Sequence, residues 1–119
     1  AGHADPARAF EDVAAAVFAL FRRLAPATLP VLRRTATVGP RLGLTDGLFM
    51  QVKGAVERHL EAERAAGRLT CESTQAVALL LVSSLHHAAL FEAVSGPTPH
   101  VSELAAREAA RALWLGLRR

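Results

Sequence analysis

One apolar segment, residues 76–94, constrains the fold of this chain more than any other. Read as a helix, it has apolar residues on every side, most densely from 79 to 91. A helix that is apolar all round must be covered all round, and a chain of 119 residues offers few other helices to do so. The segment therefore predicts a helical bundle in which part of this helix contacts a second copy of the chain.

A membrane-spanning helix is the competing interpretation of the same segment. A span needs about 20 residues with few polar groups, and this segment contains five polar side chains: Ser83, Ser84, His86, His87 and Glu92. The start of the chain, AGHADPARAF, has no apolar stretch of the kind that signal peptides carry. A single cysteine, Cys71, excludes an internal disulfide and fits a reducing compartment. The sequence therefore predicts a cytoplasmic protein that does not contact a membrane.

The composition favours helices and argues against direct nucleic-acid binding. Hydrophobic residues make up 51% of the chain, and most of them are Ala, Leu and Val, of which Ala and Leu are the best helix formers. The net charge is only +3. The arginines are scattered, whereas a nucleic-acid surface usually shows a clustered basic stripe. DNA is therefore not an expected direct partner.

Proline and glycine residues divide the chain into about five predicted helices. The first begins with Asp5 as N-cap and Pro6 at the first helical position, the places these residues prefer. Pro26 and Pro30 are expected to end it, because proline breaks helices. A short second helix is then expected over about 28–36, followed by a loop that Gly39, Pro40 and Gly43 mark.

The three later helices are expected over about 46–66, 72–95 and 101–117, with Gly67 just past the end of the first of these. On the 46–66 helix, six polar residues form the predicted water-facing side: Gln51, Lys53, Glu57, Arg58, Glu61 and Arg64. The predicted fold class is all-α, an antiparallel bundle in one domain over residues 1–119. Its last two helices are expected to form a four-helix interface between two copies.

The order of these segments resembles the C-terminal half of TetR-family (tetracycline-repressor-like) transcriptional regulators. The stretch VERHLEAERAAGRL precedes the apolar helix QAVALLLVSSLHHAALFEAVSG, and the chain ends in ALWLGLRR. Gly67, Arg68 and Leu69 match the Gly-x-Leu turn of that family. Its Leu-x-x-Gly-Leu ending is matched by Leu113, Gly116 and Leu117. The resemblance covers nearly the whole chain.

The resemblance implies a homodimer that senses a small apolar or amphipathic effector and has no catalytic activity. DNA would be bound only through a helix-turn-helix headpiece, for which there is no room before Asp5. Effector binding would change the spacing of the two headpieces in the dimer. The alternative that the sequence leaves open is a helical dimerisation or adaptor module without a ligand.

Two sets of residues are candidates for these roles, and for the aromatic and histidine members an ordinary core position is the more common alternative. The ligand-binding candidates are aromatic, thioether and imidazole side chains on helices: Phe18, Phe21, Phe49, Met50, His59, His86 and Phe91. The dimer-interface candidates lie on the last two helices: Leu80, Ser83, His87, Leu90, Leu104, Glu108, Arg111 and Leu115.

The sequence contains no set of residues at the spacing that metal binding, cofactor binding or covalent catalysis needs. His86 and His87 are adjacent, so on a helix they point about 100° apart and cannot readily share a metal, which needs i, i+4 spacing. Ser83 and Ser84 lack the flanking glycines of a nucleophile elbow, and Cys71 has no second cysteine to resolve an oxidised form. The sequence predicts neither an enzyme nor a cofactor.

Overall fold

The computed structural model describes residues 5–38, 43–98 and 101–118, and this part of the chain contains four helices. They are α1 (Pro6–Val38), α2 (Gly43–Ala65), α3 (Thr74–Ser95) and α4 (Glu103–Leu117). The predicted all-α class is confirmed. The loop expected at Gly39 and Pro40 lies outside the described residues, and Gly43 is already the first residue of α2.

The helix count differs from the sequence prediction because Pro26 and Pro30 do not end α1. The separate helix expected over 28–36 is the last part of this 33-residue helix. Each proline removes one helical hydrogen bond, to the carbonyl four residues before it. Both prolines are exposed and lie four residues apart. The two carbonyl groups that lose their helical partners therefore lie on the same solvent-exposed side of the helix, where they can accept hydrogen bonds from water.

Replacing Pro26 by alanine is expected to stabilise the fold by about 1–3 kcal/mol. The change restores a backbone N–H inside a helix, and it removes most of the ~3 kcal/mol proline penalty, less the gain in unfolded-chain entropy. Urea denaturation of Pro26→Ala measures the effect. Pro97→Ala, beyond the end of α3, is the matched control and should not gain stability. A Pro26→Ala variant no more stable than the control would show that the chain bends or breaks at this position.

The helix ends follow local capping rules. The Asp5 side chain accepts hydrogen bonds from the backbone N–H groups of Ala7 (3.0 Å) and Arg8 (3.3 Å), as an N-cap should. Gly67 follows α2 with φ of 79°, a left-handed conformation that glycine adopts without strain. Ser73 caps α3 and Ser102 caps α4. The predicted start of α1 and the predicted turn at Gly67 are confirmed.

α1 is the scaffold on which the other helices assemble. It packs extensively against both α3 and α4, whereas α2 packs mainly on α3 and touches α1 little. Phe10 is fully buried, and its ring centre lies 5.4 Å from that of Trp114 on α4. Arg22 donates two hydrogen bonds of 2.7 Å to Glu92 on α3. The core therefore centres on α1, and all four helices contribute to it, α2 through side chains such as the fully buried Leu60.

One residue of the predicted water-facing side of α2 is buried instead. Lys53 is only 5% exposed, and its ammonium group donates a hydrogen bond to the carboxylate of Glu57, one helical turn later. Burial of an unpaired charge is costly, whereas a paired one is tolerated. The i, i+4 partner explains how a lysine can occupy this position.

Candidate ligand groove and dimer surface

An apolar groove of about 450 Å³ runs between α1 and α2, where the two helices make little contact. Its described lining comes equally from the two helices: Val13, Ala16, Val17, Leu20, Val52, Ala55, Val56 and His59. We call it the α1–α2 groove. Its volume is within the range of small-molecule sites, and its lining is predominantly apolar, as such sites usually are.

His59 is the single polar side chain among the described lining residues of the α1–α2 groove. Its Nε2 atom is buried. The imidazole ring is stacked with Phe10, with 6.3 Å between the ring centres and 22° between the planes. The groove therefore has an aliphatic lining that includes one imidazole ring.

The other six ligand-binding candidates lie elsewhere. Phe21 and Phe49 both contact the His86 ring, at 4.7 and 5.8 Å between ring centres. Phe18 is buried on the α3–α4 side of α1. Met50 is 52% and Phe91 46% exposed. Of the predicted set, the structure places only His59 at the groove, and it places three others in an aromatic cluster that joins α1, α2 and α3.

Lowering the pH should reduce the stability of the fold, because His86 becomes protonated. Burial, and then the charge of neighbouring His87, lower the pKa of His86 in the folded state. The neutral ring therefore contributes stability above the unfolded pKa of about 6.5, and this contribution is lost as the pH falls through the lower folded value. Urea midpoints measured between pH 8 and pH 5 should fall less steeply for His86→Gln than for the unaltered chain.

His87→Gln is the matched control for this pH experiment. His87 is exposed and adjacent to His86, so its replacement removes only the weaker of the two causes of the pKa shift. An unchanged pH slope in His86→Gln, with a large change in His87→Gln, would contradict the assignment.

α3 and α4 leave large apolar side chains exposed. On α3, Leu80 is 63% and Val94 69% exposed; with His87 and Phe91 they repeat at helical spacing along one stripe. On α4, Leu104 is 66% and Leu115 47% exposed. We call these six side chains the α3–α4 surface.

Recesses separate α3 from α4 because both helices pack on α1 rather than closely on each other. One recess of about 220 Å³ includes Leu80 and Leu113 in its walls. A second of about 140 Å³ extends to Phe18 and Ala88. Ser84, Leu85 and Ala109 line both. The α3–α4 surface is therefore ridged and indented, a shape that can interlock with another helix pair.

Most of the dimer-interface candidates are on or beside this surface. Leu80, His87, Leu104, Glu108, Arg111 and Leu115 are exposed, and Ser83 and Leu90 are partly buried. Arg111 also pairs with Glu11 of α1 at 3.4 Å. Sequence reasoning did not assign Phe91 and Val94 to this surface. The signal was available, since both continue the i, i+3/i+4 repeat that begins at Leu80.

Two segments, Pro6–Pro30 and Thr74–Ser95, are long and apolar enough to cross a bilayer by length and composition. The core helix of a soluble protein passes the same test, so this property does not locate the protein. The residues described by the structure contain no cluster of three or more His, Cys, Asp or Glu side chains that could hold a metal ion.

No family model matches the chain, and no curated protein or solved structure matches it either. The relationship to TetR-family regulators accordingly remains a prediction from the sequence.

Proposed function

We propose that this chain is the effector-binding and dimerisation half of a TetR-like transcriptional regulator. The observation that carries the proposal is the presence of two apolar recesses on different faces of α1. Val13 lines the α1–α2 groove and Phe18 the α3–α4 recess, and five residues of helix turn these positions about 140° apart. One face is therefore available for a ligand and another for a second copy.

The second copy covers the α3–α4 surface in this proposal. Two helices from each copy form a four-helix interface, and exposed leucines of one copy enter the recess between α3 and α4 of the other. Burying a leucine side chain stabilises an assembly by roughly 1.5–3 kcal/mol. A symmetric interface uses each exposed side chain twice, so the six large residues of one copy become twelve in the dimer.

The ligand occupies the α1–α2 groove and acts on the dimer through α2 and α3. These two helices are joined at one end by a 2.6 Å hydrogen bond from the Thr74 hydroxyl to Glu61, which lowers the pKa of that carboxyl. Near the other end, Phe49 contacts His86. A ligand that displaces α2 from α1 therefore also displaces α3, which forms part of the dimer surface.

The ligand changes the dimer only if it binds one arrangement of the two copies better than the other. DNA is reached through headpieces whose spacing this half controls. A ligand-free dimerisation module is the second candidate, and the open form of the groove, with a single polar group, favours it. The two candidates share the dimer and differ in whether the groove is occupied.

A larger side chain that fills the groove tests the ligand part of the proposal. Ala16 and Ala19 are both exposed on α1, but only Ala16 is among the groove residues. Compounds from a hydrophobic small-molecule library are first selected by thermal shift, and their affinity is measured by calorimetry. Ala16→Leu should weaken binding at least about tenfold, equivalent to ~1.4 kcal/mol, whereas Ala19→Leu should leave the affinity nearly unchanged.

The outcomes separate the candidates. No stabilising compound in a broad library would support the ligand-free module. Equal loss of affinity in Ala16→Leu and Ala19→Leu, or no loss in either, would place the binding site outside the groove.

A further inference from the structure

We propose that the two copies of the dimer cross antiparallel at α4, and that Glu108 of each copy pairs with Arg111 of the other. The inference rests on the proposed function. It specifies how the second copy is oriented and which charged side chains recognise it.

Four exposed side chains form one stripe along α4: Leu104, Glu108, Arg111 and Leu115. Their spacing of four, three and four residues keeps them within about 60° of one another around the helix. The stripe contains none of the three buried residues of α4, which pack into the core. A partner that covers Leu104 and Leu115 must therefore also cover the two charged residues between them.

The order of the side chains in this stripe matches a twofold axis. Leucine stands at both ends, and the two inner positions carry opposite charges. In an antiparallel pair whose axis passes midway between Glu108 and Arg111, each residue faces the one equally far beyond the midpoint. Leu104 then faces Leu115 of the second copy, and Glu108 faces Arg111. Because such an interface is isologous, each of these contacts occurs twice.

A single copy leaves both charged groups able to form this contact. Within the described ranges the Glu108 carboxylate has no ion pair or hydrogen bond, although Arg111 lies only three residues away. Arg111 turns instead to Glu11 on α1, with 3.4 Å between its Nη1 atom and the carboxylate. Its side chain is still 64% exposed, and a guanidinium has further N–H donors. The acid is therefore unpaired, and the base has donors to spare.

The pairs contribute to orientation more than to affinity. An exposed ion pair stabilises an assembly only slightly, whereas like charges that face each other across an interface disfavour it. Parallel α4 helices would place Glu108 against Glu108 and Arg111 against Arg111. The charge pattern therefore favours the antiparallel arrangement, while the apolar side chains of the α3–α4 surface supply most of the affinity.

Two charge reversals test the inference on the full chain. Glu108→Arg makes both inner positions of the stripe positive, and Arg111→Glu makes both negative. Like charges then face each other in each homodimer, so its dissociation constant, measured by sedimentation equilibrium, should rise at least about tenfold.

An equal mixture of the two variants should restore the dimer, because both contacts then join opposite charges. Native mass spectrometry after exchange of copies should show at least about nine-tenths heterodimer, against about one-half for random pairing. Effects inside one copy, such as loss of the pair between Arg111 and Glu11, cancel in this ratio because homodimers and heterodimers contain the same chains.

The matched controls are Glu72→Arg and Arg58→Glu. They make the same charge changes at exposed positions outside α4, Glu72 just before α3 and Arg58 on α2. Each should keep the homodimer affinity of the unaltered chain within about threefold, and their mixture should contain about one-half heterodimer.

The possible failures are distinguishable. Random pairing of Glu108→Arg with Arg111→Glu would overturn the contact between these residues. Unchanged homodimer affinity in both single variants would overturn the antiparallel arrangement, even with an excess of heterodimer. In both cases a dimer of the unaltered chain that Leu80→Glu with Leu104→Glu dissociates would leave the proposed function standing. A monomeric unaltered chain would overturn this inference and the dimer of the proposed function together.

Discussion

Replacing Leu80 and Leu104 together by glutamate is expected to turn the proposed dimer into a monomer. Both side chains are about two-thirds exposed in the single chain, at 63% and 66%, so the substitutions should leave the fold of one copy intact. In the dimer they would bury four carboxylates and remove four leucines. Charges buried without partners are strongly unfavourable, so the dissociation constant should rise at least about a thousandfold, or ~4 kcal/mol.

Light scattering after size exclusion measures this change, with circular dichroism to confirm that the helices remain. Met50→Glu is the matched control, because Met50 is also about half exposed, at 52%, but lies on α2 away from the α3–α4 surface. It should keep the dimer. Dimers that survive the double substitution would place the interface on another face of the bundle.

Phe10→Ala is expected to destabilise the monomer by about 3–5 kcal/mol, the usual cost of removing a buried phenylalanine. The Phe10 side chain is 0% exposed, and its ring packs against Trp114 and His59 from two other helices. Domains of this size are stable by only about 5–15 kcal/mol. The variant should therefore lose a large part of its stability and unfold at much lower urea concentration.

This experiment is best done in the Leu80→Glu, Leu104→Glu background, because the stability of a dimer depends on its concentration. Phe91→Ala is the matched control, since Phe91 is 46% exposed in the single chain. It should cost less than about 1 kcal/mol in the monomer. Equal losses in the two variants would show that α1 does not form the centre of the core.

Features that depend on neighbouring residues were predictable from the sequence. The Asp5 cap, the glycine turn after α2 and the apolar character of α3 follow from residues close together in the chain. The break at Pro26 and Pro30 was wrong for a physical reason. Proline removes one helical hydrogen bond. Whether the helix ends there also depends on whether the carbonyl group that loses its partner faces water.

The groove was less predictable, because its existence depends on how far α1 and α2 diverge. Their separation is set by packing on α3, which a helical repeat does not encode. His59 was identified because a histidine interrupts an apolar stripe. Aromatic residues such as Phe18 and Phe21 looked equally suitable, yet they face the core and its recesses. The exposed leucines of α3 and α4 were easier to predict, since a helix that is apolar on all sides exceeds what one small chain can cover.

The molar mass of the unaltered chain in solution, measured by sedimentation equilibrium over a range of concentrations, tests the dimer most directly. We expect a species of twice 12.6 kDa at micromolar concentration. A monodisperse species of 12.6 kDa over the whole range would mean that the α3–α4 surface is not covered by a second copy, and would contradict the proposed dimer.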